Sequence, residues 1–369
     1  MFMGDSPTSF NIKTLCDDLN SEPLFHLSLH SKELFHSNVL AWFAQSYPNV
    51  ATQLFRRWVP ARKSERHKIQ REHGQLDLIL ELPDLAPIVI ENKVFAPVDD
   101  DQLERYTWKK GLDVGEDPTF ILMSLGSPNW NHEEFVTSTG QSWKHVSYRD
   151  LATSLSKVVH LVPNFDGDLL GRYLRFISLL QQLVDLVGTP SRDEPIELVG
   201  VQKEALQSIR LYDSITKLRT RFVIKEVAQS VRNLSSQGDV RFHSNFTHGQ
   251  PLLEAFVSLR NGDSIGWQYQ GAQWRLAVKT NVHHGKTIEA RERRHAYVAS
   301  KYADWFNFAK LSELLGHKME DQSPTEKKGE LLGYNPNFVY LYRKIPDLSI
   351  EGAVQLCSHY ISQAIEWGE

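Results

Sequence analysis

Leu76-Asp77-Leu78-Ile79-Leu80-Glu81-Leu82, followed after Pro83-Asp84 by Pro87-Ile88-Val89-Ile90-Glu91-Asn92-Lys93, is the stretch on which the fold turns. Both runs have the length and the aliphatic content of buried strands, and the Pro-Asp pair between them marks a turn, so an antiparallel hairpin is expected. Asp77 interrupts the first run near its start. Glu91 and Lys93 close the second, two residues apart, so a strand places both side chains on one face. A carboxylate at the end of a buried strand is costly to desolvate unless a cation or hydrogen bonds compensate it. Two carboxylates on neighbouring strands, with a lysine beside one, form a site for a hard cation with its own positive partner.

Helical spacing of Leu34, Val39, Leu40, Trp42 and Phe43 predicts mainly helix over residues 24–55, with a break at Tyr47-Pro48. Residues 56–71 are dense in Arg and Lys. After the hairpin, a helix is expected over residues 99–108, a buried strand over 119–125, a strand near 144–146 with a helix after Ser147, and an amphipathic helix over 169–187. Residues 191–195 read as a linker. Beyond it, a long helix over 201–234 precedes alternating segments at 240–246, 252–259, 265–269 and 274–278. Turns at Asn261-Gly262-Asp263 and Gln270-Gly271 suit an antiparallel sheet. Helices near 289–315, a strand at 339–343 and a helix over 350–367 complete the chain. The expected class is α/β: a central mixed sheet flanked by helices in a first domain (residues 1–190), and a second, C-terminal α+β domain (residues 196–369).

Composition constrains the function. The 369 residues are 41% hydrophobic and 23% charged, which is ordinary for a globular protein of two domains. Cys16 and Cys357 are the only cysteines, which excludes a disulfide framework and a cysteine zinc cluster and favours a reducing, cytoplasmic setting. The opening residues 1–10 lack the basic-then-apolar pattern of a signal peptide, and no apolar run reaches the ~20 residues of a membrane span. The net charge of -4 is not that of a chain that coats nucleic acid, so such contacts require local basic surface.

The chemistry that suits a carboxylate–carboxylate–lysine set is phosphodiester hydrolysis. Magnesium takes oxygen ligands, commonly one or two carboxylates plus substrate phosphate, and lowers the pKa of a bound water. The run 75–108, from Gln75 to Trp108, resembles the PD-(D/E)XK nuclease superfamily. Asp77 matches the motif aspartate and Glu91-Asn92-Lys93 the (D/E)-X-K element. Gln102-Leu103-Glu104-Arg105-Tyr106 resembles the Gln-X-X-X-Tyr signature of the exonuclease-like branch. Glu33, in Glu33-Leu34-Phe35-His36-Ser37-Asn38, resembles that branch's first motif, and Glu72 fits its acidic position upstream of the aspartate. Leu76 stands where the proline of the name would be.

The resemblance implies a restriction-endonuclease-like fold and a Mg2+-dependent nuclease, with Mn2+ as substitute. It implies that Asp77, Glu91 and Glu33 bind metal and that Lys93 orients water. Gln102 and Tyr106, with Arg71 from the basic run, would contact substrate. DNA is the expected partner and RNA an alternative, in bacterial defence or repair, with no membrane. A homodimer or a separate recognition or motor protein is compatible with it. A catalytically inactive nucleic-acid-binding module and an RNase or toxin using the same site are the rival readings.

Bland readings stand beside several of these residues. Glu33 also fits a solvated helix position near Lys32, and His36 fits either a metal neighbour or a packed helix residue. His26 and His30 have the spacing of a helical zinc pair but lack the intervening glutamate, which favours a structural role. Asp99, Asp100 and Asp101 read as a helix-capping turn and not as part of the site. Lys286, Arg291, Arg293, Arg294 and Lys301, with Tyr297 and Tyr302 interleaved, suit either nucleic acid or a charged helix face. Trp267, Tyr269 and Trp274 suit either a stacking platform or a core.

Overall fold

The hairpin is antiparallel, as its sequence predicts. In the computed structural model, β2 (Leu76–Glu81) pairs with β3 (Ile88–Lys93) in the register Leu78↔Ile90, Ile79↔Val89, Leu80↔Ile88. The structure describes all residues except 1–6, 74–75, 97–99, 108–116, 129, 131–133, 236–238, 248, 317–330 and 369. Gln75, Asp99 and Trp108 therefore lie outside the described residues.

Around the hairpin, β1 (Lys68–His73), β4 (Thr119–Ser124), β5 (Glu134–Val136) and β6 (Ser142–Ser147) complete a six-stranded sheet in the order β1-β2-β3-β4-β6-β5. The β3–β4 and β4–β6 pairs are parallel and the rest antiparallel, so the sheet is mixed. Helices α1 (Pro7–Ser21), α2 (Pro23–Ser28), α3 (Lys32–Ser46) and α4 (Pro48–Phe55) precede it. Pro23 and Pro48 each open a helix, where the missing N–H costs nothing. The helix α5 (Asp100–Thr107) follows β3, and α6 (Tyr148–Leu155) and α7 (Asn164–Leu183) follow β6. Ser147 caps α6 by accepting from the Asp150 amide. Helix α3 packs on β1, β2 and β3, and Asn92 of β3 points toward it. Leu103 and Tyr106 of α5 pack with Ile79, Val89, Phe120, Leu122 and Trp143 on the other face.

The chain separates into two units, Met1–Gly188 with Val199–Leu218, and Thr189–Leu198 with Arg219–Glu369. Residues 191–195, expected as a linker, are bonded within the second unit. Pro195 bridges to Ser349, the Ile196 amide donates to the Leu348 carbonyl at 2.8 Å, and Arg219 donates to the Ile196 carbonyl at 3.0 Å. The single helix expected over 201–234 is three: α8 (Gly200–Ser208), α9 (Tyr212–Ser230) and α10 (Arg232–Ser235). Arg210, at φ 60°, ends the first, and a left-handed residue cannot continue an α-helix.

The second unit's sheet is wholly antiparallel. It comprises β7 (Val240–Thr247), β8 (Gln250–Ser258), β9 (Ser264–Gln270), β10 (Gln273–Lys279), β11 (Leu332–Asn335) and β12 (Phe338–Lys344), in the order β11-β12-β10-β9-β8-β7. Gly271 and Ala272, both at positive φ, make the two-residue turn between β9 and β10. Helices α11 (Ile288–Tyr302), α12 (Leu311–Leu315) and α13 (Ile350–Gly368) accompany it. Leu253, Ala255, Trp267, Trp274 and Leu276 pack with Leu356, Tyr360 and Ile361 of α13 in the main core. Trp267 and Trp274 stack there at 4.5 Å between ring centroids, fully buried, so with Tyr269 they are core and not a stacking platform. Among the described residues, no helix is long and apolar enough to cross a membrane.

Candidate active site

The strand register assembles the acidic residues. Counting two residues outward from the Ile79↔Val89 pair brings Asp77 and Glu91 to the same end and the same face of the hairpin. Glu91, 1% exposed, receives the Lys93 ammonium, with Nζ 2.8 Å from Oε1. Gln102 Nε2 donates to the same Oε1 at 3.3 Å and also to the Tyr106 hydroxyl. The helical spacing of Gln102 and Tyr106 thus delivers both to the Glu91 face, as their separation by four predicts. The second oxygen of Glu91, Oε2, is buried with no hydrogen-bond partner.

Electrostatics follow from this burial. Desolvation, then the neighbouring charge of Asp77, push the Glu91 carboxyl up to about 7 against the pull of Lys93. Desolvation also raises Asp77, opposed by the Asn92 amide and Lys93. Burial by itself would lower Lys93, but Glu91, Glu33 and Asp77 together hold its ammonium above the usual lysine value. Glu33 is raised chiefly by burial, and Lys93 and Asp77 both act on it, which places it at the rim of the same group. Its Oε1 accepts from the Ala96 amide at 3.1 Å, just past the end of β3. Among the described residues, no three His, Cys, Asp or Glu side chains already stand as a metal-binding cluster.

Whether a divalent cation fits can be judged from these donors. Two raised carboxyls on facing strands and one buried oxygen without a hydrogen bond match the oxygen chemistry of a hard cation that keeps waters and takes one or two carboxylates from protein. The residues present fit such an ion.

Asn92 is the residue that the motif conceals. It is fully buried, pointing away from Glu91, and it joins four groups. Its amide N–H donates to Asp77 Oδ2 at 2.7 Å, while Nδ2 donates to Ser37 Oγ at 3.2 Å and to the Glu33 carbonyl at 3.4 Å. Its Oδ1 accepts from the Tyr148 hydroxyl at 2.7 Å. Behind it, the Tyr173 hydroxyl pairs with His36 Nδ1 at 3.0 Å. The sequence signal was an asparagine within a buried strand, where an amide must be satisfied.

Other expected residues lie elsewhere. His36 is packed against Phe176, Phe35 and Tyr148, and burial pushes it down to about 3, so it is a neutral core residue. Arg71 stays on the edge strand β1, where NH1 donates to Asn38 Oδ1 of α3 at 2.5 Å. Glu72, beside it, is exposed and its charge raises Asp77. His26 bonds the Asn20 carbonyl at 2.7 Å. In the basic run, Arg57 lies 3.8 Å from Asp150 and Arg66 lies 3.5 Å from Glu81. Tyr297 and Tyr302 donate to Asp263 Oδ2 at 2.7 and 2.6 Å, a structural knot that takes both from any stacking role.

An aspartate and a Glu-X-Lys converge at the end of a buried hairpin, with a Gln-X-X-X-Tyr helix laid over them. Residues 24–162 match the family model of the PD-(D/E)XK nuclease superfamily. No curated protein and no solved structure matches the chain. The matched segment runs from α2 to just past α6, and so contains the hairpin, α5 and every residue named above as joining the acidic group. That segment is thus similar to a superfamily of nucleases, and the mixed sheet flanked by helices is consistent with that superfamily's fold.

Proposed function

We propose that this protein is a magnesium-dependent nuclease that hydrolyses phosphodiester bonds in DNA, with Asp77, Glu91 and Glu33 as the metal-binding carboxylates. The observation that carries the reading is Glu91: a buried carboxyl, raised to about 7, bonded through one oxygen to Lys93 and Gln102 while the other has no hydrogen bond. A bound divalent cation would supply charge neutralisation at the phosphate and a more acidic water. Mn2+ is expected to substitute.

The chain's own residues have distinct tasks. Lys93 presents an ammonium held in place by Glu91, aimed where negative charge grows on the phosphate; preorganised charge of this kind is worth roughly 3–4 kcal/mol of barrier in other enzymes. Asn92 fixes Asp77 through its backbone amide, so the carboxylate needs little rearrangement on binding. Gln102 and Tyr106 hold Glu91 from the α5 side and are offered to the substrate strand, with Arg71 as a phosphate contact farther out on β1. Bacterial defence or repair is the proposed setting, with DNA recognition assisted by a second copy or a separate motor protein.

The test is divalent-dependent cleavage of linear duplex, circular and single-stranded DNA, with RNA alongside, by wild type and Lys93→Ala. Loss of cleavage by roughly a hundredfold or more in the variant supports the site. Equal activity in both places the chemistry elsewhere, and cleavage of RNA alone moves the substrate assignment to RNA.

A further inference from the structure

The second unit's sheet has two dissimilar faces. One carries the core under α13. The other carries a cavity of about 750 Å³ lined by His243, Glu254, Gln268, Arg275, Lys279 and Phe338, among others. Register explains how it is built. Cross-strand partners run His243↔Glu254, Glu254↔Gln268, Gln268↔Arg275 and Arg275↔Tyr342, so one polar row crosses five strands. The next row is Phe256↔Gly266, Gly266↔Ala277 and Ala277↔Tyr340, which places two small residues between two rings.

An outward antiparallel face is ordinarily polar and solvated. This one is polar and buried. Gln268, Gln270 and Arg275 are each at most 8% exposed. Arg275 donates to the amide oxygens of Gln268 and Gln270, the latter at 3.1 Å, and through Nε to Gln273 at 2.9 Å, with its guanidinium 5.0 Å from the Tyr340 ring centroid. Gln268 Nε2 donates to Glu254 at 2.8 Å, and Lys279 bonds the other Glu254 oxygen at 3.0 Å while lying 3.7 Å from the Phe256 ring centroid. Burying a guanidinium is costly, and the three amide oxygens it donates to offset part of that cost. Phe256 and Phe338 lie 6.2 Å apart, and Phe338 and Tyr340 lie 5.5 Å apart, forming an aromatic flank.

We propose that this cavity receives one unpaired nucleobase of the nucleic-acid strand on which the nuclease acts. The choice of nucleic acid rests on the nuclease reading; the chemistry of the cavity is independent of it. Its volume falls in the range of small-ligand pockets, roughly 300–1,000 Å³. The bonds among the amides, the guanidinium and the carboxylate can be exchanged for bonds to the edge of a base, and Phe338, which lines the cavity, offers a ring for stacking. Two cations against one carboxylate among Arg275, Lys279 and Glu254 give a positive balance that suits the attached phosphate.

The test is fluorescence anisotropy of labelled single-stranded homopolymer oligodeoxynucleotides and of a labelled duplex, on the full chain in EDTA so that nothing is cut. The proteins are wild type, Arg275→Met, Lys279→Ala and His243→Ala. Single strands should bind in preference to duplex and with a base preference. Losing a stacked or edge-bonded base weakens binding roughly 5- to 100-fold, so Arg275→Met and Lys279→Ala should each fall in that range. Because Arg275 is buried, its variant counts only with an unchanged circular-dichroism spectrum; Lys279 and His243 at the rim provide the same test without that risk. Unchanged affinity in the Lys279 and His243 variants, or equal binding of duplex, overturns the proposal. Failure of the nuclease reading would appear separately, as absent cleavage with divalent ions while this binding persists.

Discussion

Replacing Glu91 by Gln tests the physical basis of the candidate site directly, because it separates what the residue costs the fold from what it does there. In the metal-free protein, the Glu91 carboxyl sits at about 7 against an ordinary value of 4.5, raised first by burial and then by Asp77. The sign is fixed by linkage. The folded state holds this proton more tightly than the unfolded chain does, so the associated stability is fully present below the unfolded value and is lost as pH rises through about 7. At about 1.4 kcal/mol per pKa unit, the ionised residue costs the metal-free fold about 3 kcal/mol at alkaline pH.

Gln keeps the shape and an acceptor for Lys93 Nζ and Gln102 Nε2, and it turns the oxygen that lacks a hydrogen bond into an amide near Asp77. Part of the gain is lost with the Glu91–Lys93 attraction, but Glu33 and Asp77 still act on Lys93. Urea unfolding in EDTA should therefore show the variant about 1–3 kcal/mol more stable than wild type at about pH 8 and indistinguishable from it at about pH 5. Adding Mg2+ or Mn2+ should reverse the order. A ligand at a hundred times its Kd stabilises by about 2.7 kcal/mol, and only wild type should gain it. A variant that is less stable than wild type at both pH values, or that gains as much from the divalent ion, refutes the reasoning.

Three further outcomes follow from other contacts. His36, fully buried and pushed down to about 3, stays neutral in the fold while the unfolded chain takes up a proton below its ordinary value of 6.5; stability should fall with acidification across that window by about 1.4 kcal/mol per pH unit, and His36→Gln should remove that slope in a pH series of urea midpoints. This slope opposes the one from Glu91, so each is read as a difference between variant and wild type. Tyr148→Phe leaves the buried Asn92 carbonyl without its 2.7 Å donor, which should cost about 1–3 kcal/mol in denaturant and slow cleavage roughly tenfold as the Asn92–Asp77 contact loosens; unchanged rates would show that the network only packs. Asp263→Asn weakens bonds from Tyr297 and Tyr302 and an ion pair to Lys301 at 3.7 Å, and should cost about 2–3 kcal/mol of stability, seen as a lower thermal midpoint by circular dichroism.

What could be read from the chain depended on how local the determining pattern was. Asp77, Glu91 and Lys93 were legible because a strand has a period of two and a hairpin needs only a short turn, so neighbours in sequence are neighbours in space. Gln102 and Tyr106 were legible for the same reason at helical spacing. Strand β1 was hidden in the basic run because Lys68 and Arg71 belong to a sheet edge, where charge is tolerated and blunts unwanted pairing. The break between α8 and α9 was hidden because the chain there has neither Gly nor Pro, and Arg210 adopts the left-handed conformation without a sequence marker.

Asn92 shows the harder limit. As the middle letter of Glu-X-Lys it is free to be anything in the motif, yet in this fold it binds Ser37 and Tyr148, 55 and 56 residues away, and its own backbone holds Asp77. The same limit operates in the second unit. Alternation along β9 and β10 was evident, and it sent Trp267 and Trp274 to the core. That same alternation sends Gln268 and Arg275 to the opposite face. What alternation along one strand cannot convey is that His243, Glu254, Gln268, Arg275 and Tyr342 fall into one row, since that depends on four successive registers. A motif is a constraint within an element; a cavity is a constraint among elements. The candidate site was readable because each of its motifs lies within one strand or helix and a short turn joins the two strands, and the polar cavity was not because it depends on several registers at once.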